Sequence, residues 1–287
     1  MTDRRAGRIS SETGAELCQL LTEAIDLPGV EVFVRPVKEY RFLLVLRGAG
    51  LSGKLADTDP QEVGEKPLTA QALAAETDAK AEETAQLVQR FTDQAGEILA
   101  DRHPANMVLL RGFAQKPDWP QFPEVFRLRA AAIAQYPMYR GVAKLVGMET
   151  LRSGTAVADE FETLADQWDA FDFFYLHVKR IDSAGEDGDF ERKAALIAEV
   201  DAFVPQVLAL EPEVVVVTGD HSTPAFLKYH SWHPVPTLLW SPQCRPDDVQ
   251  RFGERACMAG GLGPRLPSTH LMPLAMANAR RLEKYGA

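Results

Sequence analysis

The chain has 287 residues, 31 basic against 41 acidic side chains, and a formal net charge of −10. That balance argues against nucleic acid or an anionic membrane as the main partner, since both reward clustered positive charge, but it leaves room for a small anionic substrate held by local arginines. With 46% apolar and 25% charged residues the composition is that of a globular chain of one large or two ordinary domains, and no apolar run approaches the length of a membrane span.

The first ten residues, MTDRRAGRIS, hold no apolar signal core. Cys18, Cys244 and Cys257 are odd in number and lack metal-type spacing, so they read as reduced, buried thiols of a cytoplasmic protein. Residues 10–25 open with Ser10 and Ser11 and place apolar side chains at 17, 20, 21 and 25, which predicts an amphipathic helix. VEVFVRPV and RFLLVLRG then predict two strands separated by a short link, and LADTDPQEVGEKP (55–67) a polar loop. A long Ala/Glu-rich helix is predicted over 77–101, with Ala81, Ala85 or Thr84, Val88, Phe91, Ala95 and Ile98 on one face. NMVLLRG (106–112) predicts another strand, and FAQKPDWPQFP, with three prolines, an irregular stretch. Residues 1–127 therefore read as an α+β unit with a small sheet and two helices.

Beyond that point the pattern changes. Residues 127–147 are expected to be helical with a break near Pro137, FDFFYLHV (171–178) to be a buried strand, and 189–210 a helix. On that helix Asp201 shares a stripe with Phe190, Ala194, Ile197, Val204 and Leu208, so its carboxylate either finds a partner or lies at the stripe's edge. Four valines (214–217), PTLLWS (236–241) and a C-terminal helix from THLMPLAMANARRLEKY complete a doubly wound α/β core. Two strands end in chemistry. FDFFYLHV runs into Asp182 and Glu186 around a glycine turn, and the valine strand into Asp220 and His221, with His230 and His233 in the following loop. Ligands of open α/β sheets gather beyond the carboxyl ends of the strands. Carboxylate and imidazole suit Mn²⁺, Zn²⁺ or Mg²⁺, and two such ions close together suit phosphoryl transfer. His177 reads as a packing residue or an outer support of that site, His103 as a loop residue, His270 as a packing residue, and His233, before a proline, as structural.

GDHSTP, HSWHPVP, HVKRIDSAGEDGDF, YPMYRGVAKLVGM, TDRRAGRIS and RFGERACMAGGLG together resemble the archaeal-type 2,3-bisphosphoglycerate-independent phosphoglycerate mutases of the alkaline phosphatase superfamily, from Thr2 to the C-terminus. The resemblance implies an α/β fold: an alkaline-phosphatase-like, mostly parallel sheet flanked by helices in 128–287, with a smaller α+β cap in 1–127. It implies an isomerase of glycolysis and gluconeogenesis that passes a phosphoryl group between the 3- and 2-positions of glycerate through a phosphoserine, using two divalent ions and no 2,3-bisphosphoglycerate. By motif position Asp182, Glu186 and His230 would hold one ion and Asp220 and His221 the other, His230 being preferred to His233 as the first residue of the HxxxPVP block. Many relatives carry histidine at the position of Glu186, which bears on metal preference. Arg4, Arg5, Arg41, Arg111 and Arg140 are the candidates to grip phosphate and carboxylate, a task suited to the planar guanidinium.

Members of that family place an Asp-Gly metal ligand and the nucleophilic serine ahead of the DRRAGR block, which here begins at residue 3. Ser222 is not in the nucleophile's context. The expectation is a core lacking its first strands, with apolar surface exposed and no turnover by the chain alone. A metal-dependent phosphatase or phosphodiesterase, or a non-catalytic metal- or ligand-binding protein, are the alternatives.

Overall fold

The computed structural model describes residues 1–73 and 79–282. Residues 77 and 78, the expected start of the long Ala/Glu-rich helix, lie outside that range. The chain forms two compact units, Met1–Pro117 and Asp118–Ala287.

In the first unit α1 (Ser11–Ala24) starts where Ser10 Oγ accepts the Thr13 N–H, satisfying one of the free donors of the first turn. Its Cys18 and Leu21 are buried against an antiparallel hairpin, β1 (Glu31–Lys38) and β2 (Arg41–Arg47). Gly14 is required where α1 meets the hairpin turn, because a Cβ there would sit 2.3 Å from the Glu39 carbonyl oxygen. The helix α2 (Ala79–Leu99) closes the core with Ala81, Ala85, Val88, Phe91, Ala95 and Leu99, one side chain per turn. Segment 106–112 is not a ladder strand, contrary to the expectation from its apolar run. Val108 and Leu110 are buried at period two, but Leu110 bonds to Thr58, its N–H donating to Thr58 Oγ1 and its carbonyl accepting from the Thr58 N–H, each at 2.8 Å. A side chain has taken the place of a neighbouring strand.

The second unit begins with α3 (Phe122–Phe126) and then β3 (Ala130–Ala134), the centre of a parallel sheet ordered β4-β3-β5, with β4 spanning Glu149–Leu151 and β5 Phe173–His177. The prediction of helix over 127–147 fails for its first half. AAAIA has high helix propensity, but all five residues are buried, and their small side chains let helices approach the sheet closely. Helix survives only from Pro137, which sits at the N-terminus of α4 (Pro137–Leu145), where its missing N–H costs nothing. The helix α5 (Val157–Asp166) packs Val157, Phe161 and Leu164 onto Ile133.

After β5 come α6 (Arg180–Asp187), α7 (Phe190–Asp201) and α8 (Val204–Ala209). The single helix expected over 189–210 is thus two. Its buried face is also one residue out of phase with the expected stripe: Leu196, Val200, Phe203, Val207 and Leu210 face the core, whereas Phe190, Ile197 and Leu208 are exposed. Asp201 is exposed and needs no buried partner. The valine run supplies β6 (Val215–Val217), paired antiparallel with β7 (Leu238–Trp240) as a separate two-stranded sheet. Its valines are half-buried, Val217 is exposed, and so are Leu238 and Trp240, so the run is not the fully buried central strand its composition suggests. The short α9 (Glu254–Cys257) and α10 (Leu271–Asn278) follow, with His270 exposed rather than packed. Cys18 is buried, whereas Cys244 and Cys257 are half-buried free thiols. Among the described residues no helix is long and apolar enough to cross a membrane.

One buried acid braces the end of β3. Glu160 is only 1% exposed, accepts the Gln135 backbone N–H, and has an Oε1 without a partner. Burial pushes its carboxyl up to about 7. The folded protein therefore holds a proton that the unfolded chain has already released between about pH 4.5 and 7, so this group's contribution to stability falls as pH rises through that window. Glu160→Gln is expected to flatten the pH dependence of the melting temperature between pH 5 and 8, gaining on wild type at pH 8 and not at pH 5. Parallel melting curves at both ends check this.

Candidate metal centre

The two chemical loops converge. Val178 and Lys179 carry the chain from β5 into α6, which places Asp182 in its first turn and Glu186 one turn later on the same face. The helix continues through Ser183-Ala184-Gly185, so the two acids are aligned by a helix rather than by a glycine turn. Gly185 serves packing: a Cβ there would lie 2.4 Å from the Thr223 carbonyl oxygen. Gly188, at a φ of +78°, ends the helix in the left-handed conformation.

From β6 the chain runs into Asp220 and His221, and the next loop folds back on itself. The Ser231 N–H donates to the Ser222 carbonyl at 2.9 Å, which brings His230 over His221 with ring centroids 3.8 Å apart. His221 Nδ1 lies 3.8 Å and His230 Nε2 3.7 Å from Asp182 Oδ1. Potential ligand atoms of Asp182, His221 and His230 all fall within 4.8 Å of one another. Glu186 Oε1 is 3.5 Å from His230 Nε2, and Asp220 Oδ2 is 3.3 Å from His221 Nε2. All five expected ligands thus form one connected cluster, with His221 standing between the two groups into which motif position divides them. Three carboxylates face one ammonium, that of Lys179, and two imidazoles, which leaves surplus negative charge suited to a divalent cation.

The surroundings hold two of these acids, Asp182 and Asp220, below their ordinary values. Burial pushes the Asp182 carboxyl up, but hydrogen bonds from Lys179 and Thr223 outweigh it and hold the group below its ordinary value. For Asp220 burial is likewise outweighed, chiefly by the Tyr139 hydroxyl, which donates at 2.7 Å. Burial and that donation push the Tyr139 phenol far up, so it remains a donor. Tyr139 also stacks on His177 at 3.6 Å, and burial holds His177 low. Tyr139, Thr223 and Lys179 are not distinguished by the sequence alone. Each lies inside a recognisable block, but nothing local shows that α4 delivers a phenol to Asp220 or that the loop turns Thr223 inward. His233 is structural: Ser231 Oγ lies 2.8 Å from its Nδ1, and its carbonyl accepts from Ser222 Oγ. His103 is exposed in a loop.

The arginines differ among themselves. Arg4 is committed internally, its Nε and Nη2 donating to Asp59 at 2.9 and 2.5 Å. Asp59 is buried, and the Arg4 hydrogen bond, opposed by burial and helped by the Gln61 N–H and the charge of Arg111, holds its carboxyl low. Arg5, Arg41 and Arg111 are exposed. In the second unit Arg140 is half-buried, its Nε has no hydrogen-bond partner among the described residues, and it borders a cavity of about 340 Å³ with Gln135, Arg152, Ser153 and Thr155.

The fold and this donor set define a class. Residues 41–278 match the family model described as the Metalloenzyme superfamily. The chain is 48% identical over 286 residues to the probable 2,3-bisphosphoglycerate-independent phosphoglycerate mutase of Thermotoga sp. strain RQ2, covering 99% of this chain and 70% of that one. It is 47% identical to the protein of the same description from Thermus thermophilus, covering 100% and 70%. Among solved structures, a cofactor-independent phosphoglycerate mutase from Thermoplasma acidophilum superposes with a TM-score of 0.73 at 25% identity, over 97% of this chain and 73% of that one. The PH0037 protein from Pyrococcus horikoshii gives 0.79 at 26%, over 98% and 72%. The chain belongs to the family of 2,3-bisphosphoglycerate-independent phosphoglycerate mutases, which are isomerases.

Asp59→Asn is expected to destabilise the protein by about 1.5–3 kcal/mol at neutral pH, since it removes a charge-assisted pair and leaves Arg4 uncompensated. Because the folded-state carboxyl lies below its ordinary value, the stabilisation is present above about pH 4 and is lost as pH falls through the folded value. Urea midpoints of wild type and variant should draw together as pH falls below about 4.

Proposed function

We propose that this chain supplies the metal-holding and phosphoglycerate-binding machinery of a two-ion mutase that interconverts 3- and 2-phosphoglycerate without 2,3-bisphosphoglycerate. The observation that carries this is the convergence of Asp182, His221 and His230 within 4.8 Å, with Glu186 and Asp220 at their flanks. Asp182, Glu186 and His230 hold one divalent ion and Asp220 and His221 contribute to the other. The donor set is oxygen and imidazole nitrogen without thiolate, which fits Mn²⁺, Zn²⁺ or Mg²⁺. When bound, such ions supply Lewis-acid neutralisation of phosphoryl oxygens and help deprotonate a nucleophilic hydroxyl.

The chain's own groups do the rest. Lys179 and Thr223 hold Asp182 ionised and oriented, and Tyr139 does the same for Asp220. Arg140, with a buried Nε lacking a partner, is the best placed of the arginines to take a substrate anion in the second unit. Arg5, Arg41 and Arg111 are the exposed candidates of the first, while Arg4 is already paired with Asp59. Among the described residues the hydroxyls bonded to the five-residue cluster are those of Thr223 and Tyr139, and Ser222 is spent on the His233 carbonyl. Among them, no serine hydrogen-bonded to the cluster accounts for the family's phosphoserine step.

The chain alone is therefore expected to bind about two divalent ions, and 3-phosphoglycerate only in their presence, without converting it. Metal analysis, calorimetry and an enolase-coupled assay test this. Normal turnover, or phosphoglycerate binding that ignores metal removal, contradicts it, and metal-dependent release of free phosphate without isomerisation favours a phosphatase.

A further inference from the structure

We propose that Thr223 is a positioning residue that fixes the tautomer of His221 and so turns the His221–Asp220 pair into a cation-binding pair. The metal-affinity part of this rests on the two-ion reading above; the tautomer part stands by itself.

One proton decides how these groups are arranged. Thr223 Oγ1 carries a single hydrogen and donates it to Asp182 Oδ1 at 2.5 Å. His221 Nδ1 lies 3.1 Å from the same hydroxyl oxygen, so with the hydroxyl proton spent this contact is a hydrogen bond only if Nδ1 is the donor. A neutral imidazole has one N–H, and His221 Nε2 is left with a bare lone pair. That lone pair is 3.3 Å from Asp220 Oδ2, which already accepts from Tyr139. Two acceptors facing each other without a proton between them repel. The separation matches instead the roughly 3.4 Å between two ligands that each lie about 2.1 Å from one tetrahedral cation. The opposite tautomer would place an N–H on Asp220 and close the pair to metal.

Thr223 is built to hold this position. It is buried, its β-branched side chain has few rotamers, its carbonyl accepts from Lys193 Nζ at 2.6 Å, and Gly185 of α6 leaves the room its backbone needs. Its hydroxyl bonds both Asp182 on α6 and His221 after β6, so ligands from the two loops share an orientation. Outer hydrogen bonds of this kind commonly set ligand tautomer and are worth about 10–100-fold in metal affinity.

The test compares wild type, Thr223→Val, which keeps the shape and loses the hydroxyl, and Thr223→Ser, which restores it. Long-range ¹H–¹⁵N spectra of the metal-free protein at alkaline pH report the tautomer, and calorimetric Mn²⁺ titration reports affinity. The expected results are an Nδ1–H tautomer at His221 in wild type and the serine variant, its loss in the valine variant, and Mn²⁺ binding weakened about 10–100-fold by valine and about threefold or less by serine. An Nε2–H tautomer in wild type overturns the proposal, as does a valine variant with wild-type tautomer and affinity. If the valine variant does not fold, the wild-type and serine spectra decide. A wild-type chain that binds no divalent ion sinks the two-ion reading instead, and the spectra still decide the role of Thr223.

Discussion

The proposed metal centre depends on how one carboxylate is shared. Asp182 stands in the first turn of α6, where the helix dipole favours an anion, and is mostly shielded from water. It takes a proton-bearing partner from each side, Lys179 from its own strand-helix junction and Thr223 from the loop after β6, and two imidazoles lie under 4 Å away. Burial by itself pushes a carboxylate in such a place up. These donors keep it charged, and its charge in turn gathers the histidines. Residues that are neighbours only in space thus act as one electrostatic unit.

Much of this is legible in the chain, for definite reasons. Ser10 and the 3.6-residue spacing after it specify α1, and the β-branched and apolar runs VEVFVRPV and RFLLVLRG with a short polar link specify the hairpin, because these signals are local. Asp220-His221 directly after a valine strand, and Asp182 and Glu186 directly after β5, point to chemistry because functional side chains collect at strand ends. What the sequence hides is decided by packing. AAAIA is helical by propensity and a strand by burial. The 189–210 segment breaks near Ala202–Phe203, where Pro205 opens α8, but its buried stripe is one residue out of phase already before that break, at Leu196 and Val200, and that phase is set by what the helix packs against. Asp59, which organises Arg4, sits in a loop whose composition shows only that it is polar. Tyr139 and Thr223 matter through partners 81 and 41 residues away, a relation no spacing rule contains.

The arginines show the same limit. Residue type marks Arg4 and Arg140 alike as anion ligands. Their environments separate them, since one is paired with a buried aspartate and the other has an Nε without a hydrogen-bond partner among the described residues. Glu186 gains meaning in the same way. At a position where the family resemblance leads one to expect histidine, this chain places a carboxylate next to His230, adding negative charge to a cluster already rich in it, and carboxylate oxygen is the donor that harder cations favour.

The central claim is that these five side chains serve a pair of cations held close together. Electron paramagnetic resonance of the Mn²⁺-loaded chain tests it most directly. The account predicts a spin-coupled signal from two neighbouring ions at full loading, reduced to an isolated ion or none by Asp182→Asn. A wild-type spectrum that shows only uncoupled Mn²⁺ at every loading would contradict it.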